Sequence, residues 1–313
     1  MIGLTSIYSV LSISQNFMKK LMVYALLASL CVGCMSTTST GAGAGRKQFI
    51  IVTEHYVDTR GDKIYQKLSE QADPHQYLAE DERLVKLMNQ LIPYAEEYLD
   101  QDETVDWAIH VWDAKRINSK ALGNGTVLIA EQYLENNDLN DEELALLIAH
   151  EMAHIIRRHP QEFYSWKYLL SPVLMASSFL TSGATSIVAS AGQDVYGIGF
   201  KHSAEKEADL LGLEIYAKAG FNPKNALNLM QKIKPLYDKD HPVAAKLPNW
   251  VQSQRSFKSR ERSLLKYQEK VQKMYLQHIP KHSEHLIDWD FEQHEHIAHQ
   301  QIAKLSQGFH YLN

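Results

Sequence analysis

The chain has 313 residues, 45% of them hydrophobic and 22% charged, a globular composition large enough for one substantial domain or two modest ones. A formal net charge of -5 with no long basic block argues against nucleic acid as a partner. The two cysteines, Cys31 and Cys34, would staple nothing downstream if joined, which excludes a disulfide framework for the body of the protein.

Residues 18 to 34 read "MKKLMVYALLASLCVGC". Met18 can serve as a start, Lys19 and Lys20 form a positive n-region, and Leu21 to Val32 form an apolar run of secretory length. That run is short for crossing a bilayer, although an uncleaved anchor helix remains the alternative. "CVGC", with Gly33 just before Cys34, resembles a bacterial lipoprotein signal, although Cys31 stands where such signals usually carry Leu. The resemblance implies cleavage and lipidation at Cys34. Met35, rather than Asp, resembles the outer-membrane sorting class and predicts a periplasmic protein anchored to the outer membrane. Residues 1–34 then form the leader, and "MSTTSTGAGAGR" over 35–46 reads as a flexible tether.

The folded body of the protein is expected over 47–277. "KQFIIVTEHYV" (47–57) contains a short β-like run, and residues 77–99 carry Leu84, Leu87, Met88, Leu91 and Ile92 at helical spacing. "DWAIHVWDA" (106–114) alternates and reads as a strand. Asn124-Gly125 signals a turn, and "TVLIA" after it reads as another strand. Together these predict a small antiparallel sheet just before a strong helix, "NDEELALLIAHEMAHIIRRHP". Asn140 can cap that helix with Glu143 completing a capping box, and Arg157, Arg158, His159 and Pro160 mark its end.

Residues 168–192 are apolar and rich in small side chains. Pro172 and the many Ser, Thr and Gly argue against a membrane span and for a helical insertion. "SAEKEADLLGLEIYAKAGF" (203–221) reads as a helix ending at the cap Gly220. Further helices are expected over 222–236 and 255–278, with a loop over 240–250. The tail, 278–313, holds seven of the fifteen histidines and reads as a solvated segment. The fold class is therefore α+β and mostly helical.

Within "HEMAH", His150 and His154 are four residues apart and share a helix face. Two neutral imidazoles so placed can hold one tetrahedral zinc at about 2.0–2.1 Å, with Glu151 beside them as a general base. The pattern alone leaves open a polar helix face held by ordinary hydrogen bonds. A catalytic zinc needs a third ligand, and "EKEAD" supplies Glu205 and Asp209 on one face of a later helix. Glu205 is expected to bind the metal, and Asp209 to accept the outer N–H of a ligand histidine. Glu207 reads as a surface residue, and His110 and His159 as structural or surface groups.

HEMAH about fifty residues before EKEAD resembles the zinc metallopeptidase family of the HtpX heat-shock protease, the CAAX prenyl endopeptidase and the mitochondrial Oma protease. It is most similar to the soluble bacterial periplasmic members, the LoiP and BepA group. His150, Glu151, His154, Glu205 and Asp209 match the family pattern of H-E-x-x-H followed by E-x-x-x-D. The likeness covers roughly residues 75 to 260. It implies a zincin-like metallopeptidase fold with one zinc ion per chain. Asn118 resembles the start of the family's edge strand, which implies that Thr126, Val127, Leu128 and Ile129 bind substrate as an extended peptide. His241-Pro242 resembles the family's late His-Pro motif, which implies that His241 assists catalysis or latches the metal. Arg255 is the nearest candidate for the arginine that follows that motif.

The expected activity is a metalloendopeptidase acting on unfolded or misassembled envelope proteins, as quality control, with the membrane reached through the lipid anchor. The alternative is an outer-membrane assembly factor or chaperone-like binder whose zinc site is latched and mostly inactive.

Overall fold

A computed structural model of the chain describes residues 34–36, 40–42, 46–70, 80–112, 119–135, 139–180, 203–232 and 253–287. The elements are β1 (Cys34–Ser36), β2 (Lys47–Phe49), α1 (Glu54–Glu70), α2 (Glu82–Glu96), β3 (Ala108–Trp112), β4 (Ser119–Ala121), β5 (Thr126–Ala130) and the short α3 (Gln132–Glu135). They continue with α4 (Asp141–Ile156), α5 (His159–Leu180), α6 over 203–218, a 3-10 turn (Pro223–Asn225), α7 over 226–232 and α8 (Ser253–Ile287). The fold is mostly helical with a small sheet.

The central helices form where sequence pattern and capping agree. Asp81 caps α2 by accepting from the Arg83 and Leu84 amides, and Leu84, Leu87, Met88 and Leu91 bury its apolar face. Asn140 and Glu143 make the reciprocal capping box of α4, and that helix is buried over most of its length. Its neighbours are α2 on one side and β4 and β5 on another. Arg158 sits in the left-handed region at φ 51° and ends α4. Pro160 does not merely stop α4. It lies in the first turn of α5, where its missing N–H leaves no helical bond unmade.

The three-stranded sheet runs β3-β5-β4. It is mixed rather than antiparallel: β3 pairs with β5 in parallel, and only β4 with β5 is an antiparallel hairpin. The turn joining that hairpin holds Gly125 at φ 87°, where a Cβ would strike the Asp106 carbonyl. Strand β5 is therefore the central one.

The stretch expected to be a loose tether is in part built into the fold. Cys34–Ser36 pairs antiparallel with Lys47–Phe49. Ala42 is buried in the core, its amide donating to Glu214 Oε2 at 3.1 Å. Arg157, 1% exposed, donates to the Thr40 and Ala42 carbonyls. A buried guanidinium needs such acceptors, and carbonyls of this segment provide them.

Candidate active site

Helix α4 carries His150, Glu151 and His154, and α6 carries Glu205, Glu207 and Asp209. The two helices approach closely because residue 212 has no side chain. A Cβ at Gly212 would lie 2.9 Å from both the N and the Cα of His150. That contact sets His150 against the helix that bears the acids.

One ligand atom each from His150, His154 and Glu205 lies within 4.8 Å of the others. The separations are 3.1 Å between the two Nε2 atoms, 3.5 Å from His150 Nε2 to Glu205 Oε2, and 3.9 Å from His154 Nε2 to Glu205 Oε1. Zinc bonds of about 2.0–2.1 Å give tetrahedral edges of about 3.3 Å, so this donor set fits a zinc-sized cation with little adjustment. Two imidazoles and one carboxylate are also the donors of a catalytic zinc that keeps a fourth position open.

Each of the two histidines is also held at Nδ1. His150 Nδ1 lies 3.1 Å from Asp209 Oδ1. Asp209 accepts both Nε and a terminal nitrogen of Arg260 at 2.6 Å, and Arg260 also reaches Glu205 at 3.1 Å. On the other side, His154 Nδ1 lies 2.9 Å from His159 Nδ1, whose Nε2 lies 3.1 Å from Glu207 Oε2. Glu207 is only 6% exposed and pairs with Arg46, so it is not the surface residue its position suggested. His159 is likewise buried beside a ligand rather than set apart from the site.

Electrostatics follow from these contacts. Burial disfavours charge on His150, but bonds to Asp209 and Glu205 prevail and raise its pKa to about 10. Burial, then the neighbouring His150, push His154 down to about 3. Burial also holds His159 well below its ordinary range, with the Arg46 charge adding to the effect. Burial opposes ionisation of Glu205, but Arg260 and the two histidines hold its carboxyl well below the usual range. These shifts belong to the polypeptide alone, because a bound cation requires its imidazole ligands to be neutral.

Glu151 is buried, and its Oε1 accepts from the Ser119 hydroxyl at 2.6 Å. Ser119 belongs to β4, so that strand touches Glu151. This corrects the expected substrate strand. Thr126, Val127, Leu128 and Ile129 lie in the central, fully buried β5, whose ladder is shared with β3 and β4. A substrate cannot add to a strand paired on both sides. Among the described residues, the edge beside the site is Ser119–Ala121. Asn118 and His241 lie outside the described residues.

Arg260 is an arginine brought to the acids, while the side chain of Arg255 lies outside the described residues. One signal for Arg260 lay in the sequence. Arg260 shares a stripe of α8 with the buried Leu264 and Val271, four and three residues apart in alternation with Tyr267. An arginine on such a buried stripe needs a buried partner.

A helix carrying HExxH, packed on a second helix that brings a carboxylate beside the two histidines, defines a zincin-like metallopeptidase site. The model of peptidase family M48 matches residues 78–276, and the chain belongs to that family. It is similar to the beta-barrel assembly-enhancing protease of Yersinia pestis, at 29% identity over 130 residues, 38% of this chain and 26% of that protein. It is also similar to the mitochondrial metalloendopeptidase OMA1 of Arabidopsis thaliana, at 27% over 137 residues, 43% of this chain and 27% of that one. The OMA1 of Saccharomyces cerevisiae is 26% identical over 203 residues, 60% of this chain and 56% of the relative. The chain thus spans about a quarter of the length of the bacterial relatives it matches.

Proposed function

We propose that the protein is a zinc-dependent endopeptidase that cleaves cell-envelope proteins as quality control. One observation carries this reading: donor atoms of His150 and His154, on the helix that also bears Glu151, meet a carboxylate oxygen of Glu205 from α6 within 4.8 Å. Membership of a peptidase family makes protein the substrate class. When bound, a single zinc ion supplies Lewis acidity, activating water and polarising the scissile carbonyl.

The chain's own residues do the rest. His150, His154 and Glu205 hold the cation, while Asp209 fixes the His150 ring so that Nε2 faces inward. Glu151 takes the proton of the attacking water and returns it to the leaving amine, so its carboxylate is regenerated. Arg260 offsets the negative charge of Glu205 and Asp209. Strand β4, which pairs on one side only among the described residues, offers its other side to an extended substrate, with Ser119 linking that edge to Glu151.

Localisation in the periplasm, with the lipidated Cys34 anchored in the outer membrane, rests on the leader sequence. Among the described residues no helix is long and apolar enough to cross a membrane. Pairing of Cys34–Ser36 with Lys47–Phe49 would hold the domain close to its anchor rather than on a leash.

Cleavage of unfolded casein by the wild type and by Glu151→Gln tests the reading. The wild type is expected to cleave and the variant to lose at least about a hundredfold of the rate, the lower scale of general-base catalysis. Zinc binding with no turnover in either protein would favour the latched binder instead.

A further inference from the structure

The two ligand histidines reach carboxylates by different routes. His150 meets Asp209 directly, whereas His154 meets a second imidazole first. We propose that His159 is a positioning residue for His154, relaying the anchorage of Glu207 onto the second ligand ring. The inference deepens the zinc reading above and rests on it.

The contacts leave one assignment of protons. His154 turns Nε2 toward Nε2 of His150 and toward Glu205, so a cation there takes Nε2 and leaves the proton on Nδ1. That N–H faces His159 Nδ1 at 2.9 Å, so His159 Nδ1 must accept. The His159 proton is then on Nε2, where it points at Glu207 Oε2, 3.1 Å away. The opposite tautomer of His159 would set two N–H groups head to head and leave Glu207 without a donor from this ring. Every nitrogen has one role, and the chain ends on a carboxylate that can only accept.

The terminus is braced. Arg46 Nε lies 2.6 Å from Glu207 Oε2, and a terminal Arg46 nitrogen lies 2.6 Å from Glu162 Oε2. His159 is 3% exposed, so little water competes for its two bonds. Geometry explains why an intermediary is needed. Glu207 is two residues from Glu205 and therefore on another face of α6, away from the ligand cluster. The left-handed turn at Arg158 starts α5 with His159 placed to bridge that gap.

The test uses the full chain and measures zinc affinity by chelator competition, together with the absorption spectrum of the cobalt-substituted protein. His159→Leu fills a similar volume without a polar atom. It is expected to weaken zinc binding by about 10–100-fold and to shift the cobalt bands. His159→Gln can accept from His154 and donate to Glu207, and is expected to restore most of the affinity. A residue that merely fills space would show the reverse preference for Leu. Equal affinity in wild type and both variants would overturn the relay. Should the Leu variant not fold, Glu207→Gln decides: a measurable fall in affinity supports the relay and an unchanged value overturns it. A wild type that binds no zinc would instead sink the reading on which the relay rests.

Discussion

Ser119 Oγ donates to Glu151 Oε1 at 2.6 Å, joining the edge strand to the residue beside the first ligand histidine. One oxygen of the carboxylate is thereby fixed. Ser119→Ala removes a charge-assisted bond of about 1.5 kcal/mol, so kcat should fall about tenfold with KM little changed. Ser119→Thr should keep most of the activity. Steady-state peptide cleavage reads both, and an unaltered kcat in the alanine variant would count against the contact.

Gly212 offers a test in which two effects have opposite signs. Gly→Ala inside a helix ordinarily stabilises by about 1 kcal/mol. Here the new methyl would sit 2.9 Å from the backbone of His150, and overpacking costs about 1–3 kcal/mol. Gly212→Ala should therefore lower the urea midpoint and weaken zinc binding. A more stable variant with full zinc affinity would show that the helices do not meet as described.

Arg260 pairs with the buried Asp209 and the half-buried Glu205. Arg260→Met leaves them without their cation, a change that costs about 3–5 kcal/mol for a buried pair broken on one side. The metal-free variant should melt well below the wild type, and zinc should raise its Tm by more than it raises that of the wild type. Melting curves in chelator and in zinc check this, and identical metal-free Tm values would contradict it.

His110 gives a pH dependence away from the metal. Burial lowers its pKa, against a smaller opposing effect of Glu80. The native state thus resists a proton that the unfolded chain accepts near pH 6.5. Stability contributed by the neutral ring is present above that pH and is lost as the pH falls through it. The fall in urea midpoint between pH 7 and 5.5 should be smaller in His110→Phe than in the wild type. Equal falls would show that His110 does not titrate differently on folding.

Much of the site is written locally. His150, Glu151 and His154 sit on a helix whose cap, Asn140 with Glu143, is itself in the sequence, and Glu205 with Asp209 follows the same helical period. Gly220 at φ 89° closes α6 where a cap glycine was expected. What could not be read locally depends on contacts across the chain. Glu207 looked solvated because nothing near it in sequence reveals Arg46 or His159 as partners. The order β3-β5-β4 turns on a parallel pairing that alternation of side chains does not encode. Thr40, Gly41 and Ala42 are small and carry no apolar pattern, yet Arg157 and Glu214 capture their backbone.

The most direct test of the account is the zinc content of the full chain, with His294, His296 and His299 replaced by Ala so that the tail adds no sites. One tightly held zinc per chain is predicted, and it should be lost in each of His150→Ala, His154→Ala and Glu205→Ala. Undiminished stoichiometry and affinity in any of the three would contradict a shared ion at the meeting point of α4 and α6.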